Sequence, residues 1–189
     1  RLLEPEGQLV LDFDPGRAGA EGVSDIPRSS VVPVRVEGSA VDWFERGCAL
    51  DSDPGTYAEA MNAYQQALVL EPRFADAHCN LGAVLYNLGR REVAQRSFER
   101  ALELDMLHME AHFNLGHLLE EEDDDESALA HFQSALGVDP FHADLHANLG
   151  LIYEKLGMGT EARDHWRRYL QIEPEGPWAQ VATERREKE

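Results

Sequence analysis

The chain has 189 residues and a formal net charge of −19, from 36 acidic and 17 basic residues. No run of about 18 apolar residues occurs, so a membrane span is not predicted. The acidic balance, without a segregated basic patch, argues against direct nucleic-acid binding. Cys48 and Cys79 lie within apolar helical patterns, which predicts reduced core thiols in a cytoplasmic protein.

Residues 1–39 are predicted to be an extended leader or linker. In "GQLVLDFD", Leu9, Leu11 and Phe13 alternate with Val10 and two Asp residues, a pattern typical of a strand with one apolar face. No partner strand is evident in the chain. The strand is therefore expected to dock on the following region, to pair with another chain, or to belong to a missing upstream domain.

A 34-residue period then begins, and it predicts four units at 40–74, 75–108, 109–142 and 143–176. Within each unit the apolar residues have helical spacing, interrupted once by a short break, so each unit is predicted to be a helix hairpin. Gly89 and Gly157 lie at two of these breaks, where a left-handed glycine ends a helix. The recurring positions are Leu81, Leu115 and Leu149; Gly82, Gly116 and Gly150; Ala60, Ala94, Ala128 and Ala162; Tyr64, Phe98, Phe132 and Trp166; and Pro72, Pro140 and Pro174.

Residues 177–189 begin with a proline at a plausible first helical position and become highly charged. They are predicted to form a C-terminal capping helix, which open repeat arrays need at their ends.

The joint pattern of Leu-Gly, Ala, aromatic residue, Ala and Pro resembles the tetratricopeptide repeat (TPR) family over about residues 40–176. The resemblance implies an all-α, right-handed solenoid of four helix hairpins, with the first helix of each hairpin lining a concave side. Separately, "EPEGQLVLDFD" is similar to the junction expected in bacterial MerR-type transcription regulators fused to TPR arrays. That resemblance implies that the chain is the regulatory part of a transcription regulator.

An asparagine precedes each Leu-Gly pair, at Asn80, Asn114 and Asn148. The shared register places these amides in a row along the concave side that the resemblance implies. Neighbouring helices pack about 8–10 Å apart, and an extended peptide advances about 3.3 Å per residue. One amide per repeat would therefore meet roughly every third residue of an extended ligand, and an amide can both donate to and accept from a peptide group.

Side-chain selectivity is expected from neighbouring positions on the same helices, which are Phe113, His117, Tyr86, Leu151, Glu110 and Asp144. These positions are apolar or acidic. Co-chaperone TPR domains that bind a terminal carboxylate carry Lys and Arg at such positions, and this sequence does not. The predicted partner is therefore a neutral or basic extended protein segment.

The histidine pairs and the acidic run are the other groups with possible chemistry. His108/His112 and His142/His146 are four residues apart, as metal ligands on a helix can be, but His78, His112 and His146 follow the 34-residue period, which favours packing. The acidic run 120–126 lacks the spacing of a calcium loop and predicts a solvated turn with Asp125 capping the next helix. No phosphate loop or nucleophile–base motif is found, so no enzyme, metal site or cofactor is predicted.

Two functions are favoured over a third, an enzyme accessory with a metal site at the histidine pairs. The first is a protein-binding module that holds an extended peptide in the concave groove. The second is a structural module in which Leu9, Leu11 and Phe13 of the leader occupy the groove of the same or a neighbouring chain, giving a homo-oligomer.

Overall fold

The computed structural model describes residues 2–3, 9–10 and 38–187, and the chain divides into two units, 1–35 and 36–189. In the first unit, strand β1 (Leu2–Leu3) pairs antiparallel with strand β2 (Leu9–Val10). The expectation that the strand at Leu9 has no partner in the chain is therefore wrong, because the partner lies a few residues upstream. Leu11 and Phe13 lie outside the described residues.

In the described part of the second unit, eight α-helices form four successive hairpins and a ninth helix follows. The helices are α1 (Ala40–Leu50), α2 (Tyr57–Leu70), α3 (Ala75–Asn87), α4 (Arg91–Leu104), α5 (Met109–Glu121), α6 (Asp125–Val138), α7 (Ala143–Lys155), α8 (Gly159–Ile172) and α9 (Ala179–Arg185). Each helix packs on the next one along the chain, within hairpins and between them. The predicted all-α stack of four hairpins with a terminal helix is thus observed. None of the described helices combines the length and apolarity needed to cross a bilayer.

A glycine–aromatic contact forms the seam between the two helices of every hairpin. A Cβ atom on Gly116 in α5 would lie 2.7 Å from Cε1 of Phe132 in α6, which is closer than real Cβ atoms approach. The three other contacts at this register would be equally close. They join Gly47 to Tyr64, Gly82 to Phe98, and Gly150 to Trp166. The four aromatic rings are at most 1% exposed, so the seam explains why glycine and the aromatic residue recur together.

The turns within the second, third and fourth hairpins share one backbone conformation. Gly89 and Gly157 have φ of 75° and 73°, which confirms the predicted left-handed glycines, and Asp123 has φ of 61° at the equivalent position. The carboxylate of Asp124 caps α6 by accepting from the Ser127 backbone N–H at 3.2 Å. The prediction that Asp125 is the cap is wrong, because Asp125 instead binds Lys155 at 2.6 Å.

Helix α9 covers the end of the last hairpin. Ala182 of α9 is buried in a cluster with Trp166 and Tyr169. Arg185 of α9 forms an ion pair with Glu154 of α7 at 2.5 Å. The apolar surface that another repeat would otherwise cover is therefore covered by a helix whose outer face is polar.

The first hairpin differs from the sequence expectation at two positions. Cys48 is exposed, whereas Cys79 is buried as predicted and burial raises its thiol pKa to about 12. Trp43, which its helical spacing would place in the core, is only half-buried, and the Arg46 guanidinium lies 5.3 Å from its ring centre. Helix α1 is the first helix of the described stack, so it has only a later helix, α2, to pack on, whereas α3 and α5 pack on helices both before and after them in the chain.

Candidate functional site

The three asparagines of the row each direct the side-chain nitrogen to the preceding hairpin. Asn80 Nδ2 donates to the Tyr64 hydroxyl at 3.2 Å, and Asn114 Nδ2 lies 3.8 Å from the Cys79 sulfur. Asn148, 9% exposed, lies 3.3 Å from His117 Nε2. Within the described residues, no protein group donates to the side-chain oxygen of any of the three. The amides are therefore anchored through nitrogen and keep an acceptor for another molecule.

Asn114 lies in a pocket of about 230 Å³ between α3 and α5, which we call the central pocket. His117 and Glu121 follow Asn114 along the same stripe of α5, and Tyr86 faces them from α3. The structure thus brings together three of the predicted binding residues. The pocket is lined by Ala83, Tyr86, Asn87, Phe98, Asn114, His117 and Glu121.

The carboxylate in the central pocket is partly neutralised by its neighbours. The Tyr86 hydroxyl donates to Glu121, and the Arg91 guanidinium binds the same carboxylate at 2.5 Å. Arg91 also lies over the Tyr86 ring, 5.6 Å from its centre. The Tyr86 hydrogen bond and Arg91 together lower the pKa of Glu121, so the carboxylate stays ionised at neutral pH.

His117 connects the central pocket to Asn148. Burial lowers the pKa of His117, against the opposing effect of Glu120, Glu121 and Asp144, so the ring is neutral at pH 7. With Asn148 donating to Nε2, the ring proton lies on Nδ1, which is the nitrogen nearer Glu120 at 3.9 Å. Phe113 packs edge-on against His117, with ring centres 4.6 Å apart. This part of the surface is therefore aromatic, and the His117 ring is held by its contacts with Asn148 and Phe113.

The remaining predicted binding residues lie elsewhere. Leu151 packs in the cluster beneath α9, and its neighbour Glu154 is held by Arg185. Glu110 lines a different depression, together with His108 and Asp139. Asp144 is exposed at the start of α7 and acts on His117 through its charge. The central pocket therefore contains only the middle of the predicted set.

Histidines pair across the two helices of the third and fourth hairpins. His112 Nε2 lies 3.2 Å from the Met106 carbonyl, which can only accept, so this nitrogen carries the proton. Nδ1 of the neutral His112 ring must then accept, and the donor is His131 Nδ1 at 2.9 Å. The same arrangement recurs between His146 and His165, also at 2.9 Å. These contacts explain the histidine period as packing, and the described residues contain no group of three or more side chains suited to hold a metal.

Sequence reasoning missed Glu121, Asn87, Phe98 and Arg91. The signal for Glu121 was available, because Asn114, His117 and Glu121 have the i, i+3, i+7 spacing of one helix stripe. The 34-residue register does not identify it, because the register leads from Tyr86 to Glu120, one residue before Glu121. Arg91 lies on the second helix of its hairpin, and only the packing of α4 against the Tyr86 ring reveals it.

Two family models of tetratricopeptide repeats match the chain. A TPR repeat model matches residues 53–89, and a tetratricopeptide repeat model matches residues 79–137 and 124–177. The second model alone covers more than half of the chain. The protein therefore belongs to the tetratricopeptide repeat family, as its recurring residues predicted.

Solved structures show the same fold. Two structures of MamA are similar with a TM-score of 0.64 each, at 21% and 23% identity, over 71% and 77% of this chain and 78% and 81% of theirs. PilF of Pseudomonas aeruginosa has a TM-score of 0.69 at 21% identity, over 76% of this chain and 65% of its own. No curated protein matches the sequence significantly.

Proposed function

We propose that the protein binds an extended segment of a partner protein along the surface that carries Asn80, Asn114 and Asn148, with the central pocket as its main contact. Membership of the family supports a protein-interaction scaffold. The observation that carries the finer proposal is the orientation of the amides. Each nitrogen is held by the preceding hairpin, and each oxygen has no donor among the described residues.

A fixed acceptor suits a peptide N–H. Because the amide nitrogens are held by neighbouring side chains, less conformational entropy is lost when a ligand binds than with a freely rotating side chain. An amide side chain can hydrogen-bond the main chain of any peptide whatever its sequence. Selectivity for particular peptides must therefore come from the neighbouring side chains. Tyr86, Phe113 and His117 offer ring surfaces, and Glu120 and Glu121 favour a neutral or basic segment over an acidic one.

The proposal is tested on peptides selected from a random display library with the wild-type protein as bait. Asn114→Ala removes the least committed amide of the row, and Asn62→Ala on α2 is the matched control, an exposed asparagine away from the pocket. Asn114→Ala should weaken the selected peptides about fivefold, the equivalent of one hydrogen bond. Equal affinities for both variants would refute the role of the row.

Two further predictions from the sequence concern a role in a transcription regulator and self-association. The transcription-regulator assignment depends on residues 4–14, of which only Leu9 and Val10 are described. Self-association depends on Leu9, Leu11 and Phe13. Both stay predictions, and deleting residues 1–39 tests the second. If the leader joins chains, the deletion should convert an oligomer into a monomer in sedimentation analysis, and an unchanged mass would contradict it.

A further inference from the structure

The loops that join successive hairpins present an exposed apolar ridge. Met106, Leu107 and Phe141 are 79%, 71% and 74% exposed. Leu107 and Phe141 have the same position in consecutive loops, one repeat apart, so their exposure belongs to one edge of the stack. Single exposed apolar side chains are ordinary on a surface, but an edge that repeats them is typical of a binding surface.

Beside the ridge lies a depression of about 290 Å³ that is walled by carboxylates. Its lining includes Asp76, Asp105, Glu110 and Asp139, with Leu107 and Val138 as apolar walls, and no Lys or Arg of the described chain lines it. Asp105 and Asp139 are fixed by their own loops, since each accepts from a backbone N–H two residues later at 3.0 Å. Four negative charges therefore surround a space without a balancing cation.

The floor of the depression is His108, 7% exposed. Its Nδ1 accepts from the Ala111 backbone N–H at 3.3 Å, so the neutral ring carries its proton on Nε2. That N–H makes no hydrogen bond within the described residues. The Asp76 carboxylate, whose side chain is 62% exposed, lies 3.1 Å from Nε2 without forming one. A buried donor without an acceptor is costly, and a small movement of Asp76 would let a ligand supply one.

We propose that this edge, formed by the ridge and the acidic depression, is a second docking surface, and that it binds a partner-protein segment alternating arginine with aliphatic residues. The arginine meets the four carboxylates while its methylene stem covers Leu107 and Val138. The aliphatic residues of the segment cover Met106 and Phe141, and a main-chain carbonyl satisfies His108. A second copy of this chain fits the edge poorly, because both carry a charge of −19.

The edge is independent of the central pocket, so its failure leaves the proposed function untouched. The probe is a fluorescein-labelled octapeptide of alternating leucine and arginine. The matched probe replaces every arginine with citrulline, which keeps the shape and removes the charge. Binding is followed by fluorescence anisotropy at physiological salt.

The test variant is Asp76→Asn/Glu110→Gln. Its control is Glu92→Gln/Glu161→Gln, which removes the same charge from the first turns of α4 and α8, away from the edge. The test variant should weaken the arginine probe at least fivefold and the control less than twofold. Leu107→Ser/Phe141→Ser should also weaken it, and the citrulline probe should bind poorly to every protein.

Three results would overturn the proposal. Equal weakening by the test and control pairs would mean that only net charge attracts the probe. Full affinity in both edge variants would place the probe elsewhere, and loss of binding in Asn114→Ala alone would place it in the central pocket. Because all four edge positions that are changed are exposed, thermal melting should show that every variant folds.

Discussion

The glycine–aromatic seam and the surface that carries the asparagine row differ in how closely their repeated contacts agree. On the seam side, the glycines of α1, α3, α5 and α7 contact aromatic rings in four nearly identical copies, with hypothetical Cβ distances between 2.5 and 2.7 Å. On the side that carries the asparagine row, the copies diverge. The amide nitrogen of Asn80 contacts a tyrosine hydroxyl and a cysteine sulfur, that of Asn114 a cysteine sulfur alone, and that of Asn148 an imidazole.

This difference distinguishes the positions that the fold constrains from the positions that can vary with the ligand. The seam accepts only glycine opposite each aromatic residue, because a Cβ atom there would overlap a buried ring. An amide recurs in every copy of the asparagine row, but the set of side-chain groups that contact it differs from one copy to the next. Substitutions on the seam, which includes Phe98 in the wall of the central pocket, are therefore expected to cost stability, and Asn114→Ala to change binding alone.

The largest effect is expected from Gly116→Ala. The new methyl would overlap the Phe132 ring, and the tightly packed hairpin cannot move without disturbing its neighbours, so the free energy of unfolding should fall by about 2–3 kcal/mol. Urea denaturation followed by circular dichroism measures it.

The matched control is Gly137→Ala in α6, where a Cβ would meet nothing within 4 Å. There the alanine should raise the free energy of unfolding by up to about 1 kcal/mol through helix propensity alone. Similar effects at Gly116 and Gly137 would mean that the seam is not the constraint described.

Acid should weaken the third and fourth hairpins. Burial and the facing histidine lower the pKa of His165 to about 4 and also lower that of His131, while burial, Arg168 and His142 lower that of His146. Unfolded histidines titrate near 6.5, so the unfolded chain binds more protons below that pH. The free energy of unfolding should therefore fall as pH drops from 7 to 5.5, a window above carboxylate titration.

Ser97 stands in the second hairpin where His131 and His165 stand in the next two, and it supplies the control. The double variant His131→Ser/His165→Ser should show a flatter pH dependence than wild type across the same window. An unchanged slope would show that the paired histidines do not set the acid sensitivity. The nearby Glu99 and Asp164 favour protonation and oppose the effect, so the slope is the informative quantity.

A smaller effect is expected at the turn of the third hairpin. Asp123 adopts the left-handed conformation that Gly89 and Gly157 adopt in the adjacent hairpins. Asp123→Gly should raise the free energy of unfolding by about 0.5 kcal/mol, since the relief of strain exceeds the added entropy of the unfolded chain. A decrease on the same urea titration would show that the aspartate is not strained there.

The fold could be predicted because its determinants are local and repeated. Glycine, alanine and aromatic residues at a fixed period specify both the hairpins and their seam, and Gly89 and Gly157 mark two of the turns. Partners across helices could not be predicted. His112 meets His131, 19 residues away, because of side-chain rotamers that the period does not encode.

The candidate site shows the same limit. The 34-residue register leads from Tyr86 to Glu120, whereas Glu121 lines the pocket, and the sequence placed Leu151 on the binding surface although α9 covers it. Both errors arise because a 34-residue period identifies equivalent positions without showing what lies beside each copy. The end copies of a stack differ from the middle copy, so the middle copy, with Asn114, is where the predicted residues come together.

The most direct test of main-chain recognition is a double-mutant cycle between Asn114→Ala and N-methylation of a selected peptide. Methylation is moved along the peptide one residue at a time, and Kd is measured for wild type and variant. One position, whose N–H meets Asn114, should lose binding in wild type but not in Asn114→Ala, with a coupling of about 1 kcal/mol. Positions about three residues away, which meet Asn80 and Asn148, should lose binding in both proteins. Zero coupling at every position would contradict recognition of the peptide backbone by the asparagine row.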